Sequence, residues 1–247
     1  METQVVYGIH AANRILQYHH AQICQAQIIE GADSPRLQAI IDRLQTLEIE
    51  IQYLVKDKLG LIAKSSQHQG VIFHITPLAV QNENDLIDSL ETATKGYFVV
   101  LDTVEDPRNL GACIRTAESL GAQGVIIPKD KSASITPVVR KVACGAADIL
   151  PVYQVVNLAR ALRTMQDFGF WMYGTGWSET STCLYSTQFP AKFAVVMGSE
   201  GGGLRQLTAK TCDELITIPM PGITESLNVS VATGIVCGEI VRQQLCQ

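Results

Sequence analysis

The sequence predicts two α/β units, the second built on a largely parallel sheet. Two observations predict it. From residue 97 onward buried strands alternate with helices, which is the pattern of a parallel sheet with crossover connections. Before residue 76 a shorter set of helices and strands stands apart, joined to the rest by a polar stretch that opens on a proline. The chain has 247 residues, nearly half of them apolar, enough for one large domain or two modest ones with a sizeable core.

In the first unit, "YGIHAANRILQY" carries apolar residues at helical spacing and "QAQIIE" is a short strand. "SPRLQAIIDRLQTL" is a helix with Ser34 as N-cap and Pro35 in its first turn. "EIQYLV" and "GVIFHI" are further strands. The expected division is 1–76, a connector over 77–95 with room for a short helix, and a second domain over 96–247. That domain opens on the buried strand "YFVVLD". "NLGACIRTAESLG" then makes a helix capped by Asn109 and ended by Gly121. The strand "GVIIP" and the helices "ITPVVRKVACGAA" and "LARALRTMQDFG" follow. The strands "FWMYGT", "FAVVMG" and "ELITIP" come next, and a last helix covers 230–244, with Ser230 able to cap it. Ligands of such sheets bind beyond the carboxyl ends of the strands. The segments to watch are therefore "DTVEDPRN", "GTG", "GSEGGG" and "MPGITESLN".

Several functions are disfavoured. No apolar run reaches the roughly 20 residues that span a bilayer. "METQVVYGIH" has neither a basic n-region nor a signal-like apolar run, so a cytoplasmic protein is expected. The seven cysteines form no C-x-x-C pair, which fits scattered reduced thiols and no metal site. Neither a G-x-G-x-x-G fingerprint nor a Walker loop is present. "MGSEGG" lacks the first glycine of a nucleophile elbow, because Met197 stands there. All five histidines (10, 19, 20, 68, 74) precede the second domain, so that domain cannot supply a Ser-His-acid triad. The net charge is −5, yet between 108 and 141 six basic residues (Arg108, Arg115, Lys129, Lys131, Arg140, Lys141) face only Glu118 and Asp130. Such a stripe fits a phosphate-binding face and equally a solvated surface.

Individual residues keep two readings each. Asn109 is either a helix cap or a site amide. Arg115 lies off the Leu110–Ile114–Ala117 face of its helix and is either solvated or functional. Glu200 sits between a buried strand and three glycines, as a turn acid or a site carboxylate. Gly111 and Ala112 permit close backbone approach at the helix start. Ser226, Asn228 and Ser230 bring an amide and two hydroxyls to the mouth of the last core element, where their partners are the chain's own loops or a ligand.

Three blocks, "LDTVEDPRNLGACIRTAESLGAQGVII", "VVMGSEGGGL" and "ITIPMPGITESLNVSVATGI", resemble in order and spacing the motifs of the SpoU/TrmH-type RNA ribose 2′-O-methyltransferases of the SPOUT superfamily. "VYGIHAANRIL" and "HQGVIF" resemble the ribosomal-protein-like substrate-binding domain of many members. "IPKDKSA" and "KVACGAA" are similar to the bacterial enzymes that methylate a guanosine ribose in the peptidyl-tRNA-binding loop of 23S rRNA. The resemblance implies a trefoil-knotted C-terminal domain, S-adenosylmethionine as methyl donor, no metal, an rRNA substrate and a homodimer through the knot. It implies Asn109, Arg115, Glu200, Ser226 and Asn228 as catalytic residues, with Arg115 engaging the ribose 2′-hydroxyl. It further implies Thr175, Gly176, Gly198, Ile218, Leu227 and Ser230 as cofactor contacts. His10, Arg14, His68 and Gln69 are the expected RNA-contacting residues of the first unit. Two other readings are a catalytically silent RNA-binding or ribosome-assembly protein on the same fold, and a methyltransferase acting on a tRNA ribose.

Overall fold

The computed structural model describes residues 3–31, 33–76, 80–199, 201–224 and 226–246, without the side chains of His10 and Tyr18. The chain divides into two compact units, Met1–Leu78 and Ala79–Gln247.

The first unit runs β1 (Gln4–Tyr7), α1 (Ile9–Tyr18), β2 (Ile23–Ile29), α2 (Pro35–Thr46), β3 (Ile51–Leu54), α3 (Lys56–Ala63) and β4 (Val71–Ile75). Its sheet has the order β1-β4-β2-β3, with β4 antiparallel to both neighbours and β2 parallel to β3. α2 buries Leu37, Ile40, Ile41 and Leu44, the i, i+3, i+4, i+7 stripe of an amphipathic helix. Pro35 opens α2 as expected, but Ser34 makes no side-chain cap bond. The short β1 and α3 are additions to the expected elements.

The second unit runs α4 (Glu83–Thr92), β5 (Gly96–Leu101), α5 (Pro107–Ser119), β6 (Gly124–Pro128), α6 (Pro137–Val142), β7 (Val152–Val155) and α7 (Leu158–Asp167). It continues through β8 (Trp171–Thr175), β9 (Thr182–Cys183), β10 (Lys192–Met197), α8 (Gln206–Thr211), β11 (Glu214–Thr217) and α9 (Val229–Leu245). The sheet order is β7-β6-β5-β10-β8-β11-β9 and every pairing is parallel. Helices cover both faces, so the central strands are buried on both sides. Tyr97, Val99 and Leu101 of β5 pack with Leu110, Ile114, Val236 and Ile240 of α5 and α9, whereas Phe98 and Val100 pack with Leu158, Leu162 and Met165 of α7.

Residues 77–95 are not merely a connector. Asn82 caps α4 by accepting from Asn84 N and Asp85 N, and Asp85 answers with a 2.7 Å bond from Asn82 N, a capping box. Leu86 and Leu90 are buried in the α7-side cluster, so this helix belongs to the second unit. The segment expected as one helix over 135–147 is broken, because Cys144 and Gly145 take φ 51° and 88° and separate α6 from a single 3₁₀ turn. There Arg140 pairs with the fully buried Asp148, which removes it from the solvated basic stripe. Among the described residues no helix is long and apolar enough to cross a membrane.

Candidate active site

The strand order of the second unit reverses between β5 and β10. The chain leaves β5 towards β6 on one side and leaves β10 towards β11 on the other. Such a switch point opens a crevice at the strands' carboxyl ends. A cavity of about 300 Å³ lies there, lined by Thr103, Val104, Glu105, Asp106, Asn109, Ser199 and Val229. Thr103 follows β5 with φ 60° and donates through Oγ1 to Asp102 O at 2.6 Å. A non-glycine residue in this region costs about 1–3 kcal/mol, so the turn is held by its surroundings.

The helix cap of α5 is Asp106, which accepts from Arg108 N at 2.8 Å, and not Asn109. Pro107 fills the first helical position, and the cap lies three residues before the expected one. Asn109 is thereby released from capping, and its Oδ1 accepts a 3.1 Å bond from Asn228 Nδ2 across 119 residues of chain. Asn228 rather than Ser230 caps α9. Its Oδ1 accepts from Ser230 N at 2.9 Å and from Ser230 Oγ at 2.6 Å. That demand on Oδ1 turns the Nδ2 edge of the amide towards Asn109. The first and third sequence blocks thus meet through two amides.

Four of the other predicted residues are placed by strand order. β10, β8 and β11 are consecutive in the sheet, so Gly198, Thr175 with Gly176, and Ile218 leave adjacent strand ends. Gly176 N donates to Ile216 O at 3.0 Å, and Thr175 Oγ1 donates to Val196 O at 3.1 Å. At Gly176 an added Cβ would meet nothing within 4 Å, so that backbone edge is open to a ligand. Gly198 is constrained instead. A Cβ there would lie 2.3 Å from the Gly203 carbonyl carbon and 2.6 Å from Leu204 N, because Ser199 and Gly203 close a hairpin over it with bonds of 3.0 and 3.1 Å. Ile218 and Leu227 are half-buried, Ile218 against the core, and Ser226 is exposed. Glu200 lies outside the described residues.

Arg115 lies on the same helix as Asn109, on a different face. It is exposed, on the side of α5 away from the buried Leu110, Cys113, Ile114 and Ala117, and six residues on, which is about 9 Å along the helix axis. Gly111 does allow a close approach, but of α6: a Cβ would stand 2.7 Å from Val139 O. In the first unit His68 is buried and accepts from Gly70 N through Nδ1 at 3.1 Å, so it is a structural residue and no surface contact. Gln69 is exposed but engaged, its Oε1 accepting from Ile9 N at 2.9 Å. Arg14 is half-buried, and the His10 side chain lies outside the described residues.

Sequence reasoning missed Asp102 and Arg205. Asp102 is fully buried directly after β5, and its two oxygens accept from Arg205 N at 3.0 Å and Arg205 Nε at 2.7 Å. A lone aspartate after an apolar strand was the available signal. At Cys212 and Cys237 thiol chemistry is disfavoured: burial first, then the charges of Asp213 and Asp102, push the Cys212 thiol up to about 12, and burial pushes Cys237 up to about 12. Both stay protonated near neutral pH. Among the described residues no three His, Cys, Asp or Glu side chains are grouped to hold a metal ion.

Residues 96–238 match the SpoU rRNA Methylase family, and residues 5–81 match the RNA 2′-O ribose methyltransferase substrate-binding family. The 23S rRNA (guanosine-2′-O-)-methyltransferase RlmB of Vibrio cholerae is 44% identical over 245 residues, covering 99% of each chain. The enzyme of the same name from Pasteurella multocida is 46% identical over 241 residues, covering 97% of this chain and 98% of its own. Among solved structures, the SpoU methyltransferase AviRb of Streptomyces viridochromogenes, in complex with AdoMet, superposes with a TM-score of 0.65 at 21% identity, covering 99% of this chain and 92% of that one. The A. aeolicus TrmH/SpoU tRNA modifying enzyme superposes with a TM-score of 0.56 at 28% identity, over 66% of this chain and 82% of its own.

Proposed function

The chain belongs to the SpoU rRNA Methylase family, and from that premise we propose that it transfers a methyl group from S-adenosylmethionine to the ribose 2′-hydroxyl of a guanosine in 23S rRNA, as a step of ribosome biogenesis. The observation that carries the reading is the Asn228–Asn109 bond at the switch point, in a chain that aligns almost end to end with enzymes of that name. The tRNA relative supports a ribose target of another RNA, but it aligns with only 66% of this chain.

The residues present fit the cofactor. Three adjacent strand ends offer the backbone of Gly176, Gly198 and Ile218, with an open edge at Gly176 and an apolar wall at Ile218 and Leu227. Thr175 and Ser230 complete this set of contacts. When bound, S-adenosylmethionine supplies an electrophilic methyl on a sulfonium. The chain's own part is positional and electrostatic. A ribose hydroxyl is a poor nucleophile while protonated, and the second unit has no histidine to deprotonate it. Arg115 holds the hydroxyl and a neighbouring RNA phosphate in its guanidinium fork and stabilises the developing alkoxide charge. Asn109, Asn228, Ser226 and Glu200 orient the ribose. Reacting atoms must meet at about 3–3.5 Å, and a shift of about 1 Å forfeits much of the rate.

The remaining parts of the reading follow from the family. The segment 223–236 threads a trefoil knot and also forms the homodimer contact. Residues 1–76 bind RNA, and an rRNA substrate sets the work in the cytoplasm. Mapping 2′-O-methylation of 23S rRNA in cells with and without the gene tests the activity. Loss of one methylated guanosine is expected, and an unchanged map overturns the reading.

A further inference from the structure

Asp102 and Arg205 carry no role in the chemistry above, yet they join its two walls. Asp102 is the first residue after β5, and the next residues, 103–109, form one side of the cavity. Arg205 is the first residue after the 198–204 loop, whose Ser199 lines the other side. Both carboxylate oxygens are spent on Arg205, one on its backbone N–H and one on Nε, while Asp102 N donates to Met197 O at 2.8 Å. Ser199 and Gly203 bond to each other through both backbone groups, which ties the two ends of this turn together. At one end Gly198 is jammed against Gly203 and Leu204. At the other, Leu204 packs against the α7-side cluster and the ion pair holds Arg205 directly after it.

We propose that Asp102 and Arg205 are positioning residues for methyl transfer: the pair sets the spacing between the 103–109 wall and the Ser199–Gly203 hairpin, and so the fit of the ribose between them. The proposal rests on the methyltransferase reading. A charge-assisted pair suits this task, since a buried carboxylate that takes both an N–H and an Nε–H fixes direction as well as distance. Gly198 is held by the sheet and the hairpin rather than by the pair, so cofactor affinity does not depend on it.

The test uses the full-length protein, single-turnover transfer of a labelled methyl group to a 23S rRNA transcript, calorimetry with S-adenosylmethionine, and thermal melting. Arg205→Ala keeps the backbone bond and loses the guanidinium. At saturating RNA and cofactor its rate is expected to fall about tenfold or more, as a misplacement of up to 1 Å would cause, with cofactor affinity essentially unchanged. Added ethylguanidinium restores the rate saturably, and Arg205→Lys recovers part of it. Where Arg205→Ala melts below the assay temperature, Arg205→Lys with its own rate and affinity carries the test. A wild-type rate in Arg205→Ala overturns the pair's role. So does a rate loss matched by an equal loss of cofactor affinity, or one that ethylguanidinium leaves unchanged, since the pair then only supports the fold. A wild-type protein that binds S-adenosylmethionine but methylates nothing overturns the methyltransferase reading, and this role with it.

Discussion

Asn228→Ala is the most informative single change, because one amide serves two ends. Its Oδ1 caps α9 through Ser230 N and Oγ, and its Nδ2 holds Asn109. Loss of an N-cap costs about 1 kcal/mol. Loss of the amide–amide bond adds about 0.5–1.5 kcal/mol, towards the lower figure because both side chains reach solvent. A total of about 2 kcal/mol lowers the melting temperature of a unit this size by about 4–8 °C. Methyl transfer should fall much further than the folded fraction does, because Asn109 loses the partner that orients it. Asn228→Asp separates the two ends. It keeps the capping oxygen and adds a charge that a helix N-terminus favours, but it cannot donate to Asn109. It should melt within about 2 °C of wild type, a difference of about 1 kcal/mol or less, and still lose most activity. Melting curves and single-turnover methylation of the two variants and of Asn109→Ala check this. If Asn228→Ala melts and methylates like wild type, or Asn228→Asp retains full activity, the link between the two blocks is incidental and the site assignment built on it fails.

Arg115→Ala should abolish methyl transfer while melting temperature and cofactor affinity hold, since the side chain is exposed; Arg115→Lys should recover little because an ammonium lacks the two-pronged fork, and wild-type turnover in either variant removes Arg115 from the mechanism. A fragment of residues 80–247 should fold, whereas one of 96–247 should be markedly less stable, as burial of Leu86 and Leu90 is worth about 1.5–3 kcal/mol each; equal urea midpoints for the two fragments would place α4 outside the folding unit. Bonds from Arg242 and then Gln243 hold the Glu239 carboxyl down at about 2, against an ordinary 4.5. A depressed carboxyl stabilises the fold fully above its unfolded value, so this contribution is present above about pH 4.5 and is lost as pH falls through about 2. Glu239→Gln should therefore flatten the acid limb of the stability curve and leave the neutral region less stable; an unchanged acid limb would show that the pair contributes nothing.

The order of strands and helices in the second unit was legible because long apolar runs alternate with amphipathic segments. β7 escaped because "VYQV" is short and follows a proline directly. β9 has only two residues and no pattern at all. The caps were legible by residue type but not by position. Asp106 competes with Asn109, and Asn228 with Ser230, and in each case the earlier residue takes the helix start. Pro107 tips the first contest, since a proline fits the first helical position. The site residues could be singled out by composition and by resemblance, but their meeting could not. Asn109 and Asn228 are 119 residues apart, and no local rule specifies which strands become neighbours. Asp102 and Arg205, 103 residues apart, were illegible for the same reason.

The corrected caps bear on how the site works. The second unit has no histidine, and the thiols of the partly buried Cys212 and the buried Cys237 stay protonated. Apart from Arg115 and Glu200, the site as proposed relies on short polar side chains, whose value depends on where they are held. Each is therefore fixed by a bond that also serves the fold: Asn228 caps α9, Thr175 ties β8 to β10, and Asp102 ties β5 to α8. In such a site stability and activity cannot be varied independently at most positions, because the same bond sets both. Arg115 is the exception, an exposed side chain on the solvent side of α5, reaching outward from a helix whose packing does not need it. Truncations to alanine at Asn228, Thr175 and Asp102 should thus lose melting temperature and rate together, while Asn228→Asp, which keeps the capping oxygen, and variants at Arg115 should lose rate with little loss of melting temperature. That separation follows from geometry, since a group that must meet a substrate phosphate cannot also be spent on the core.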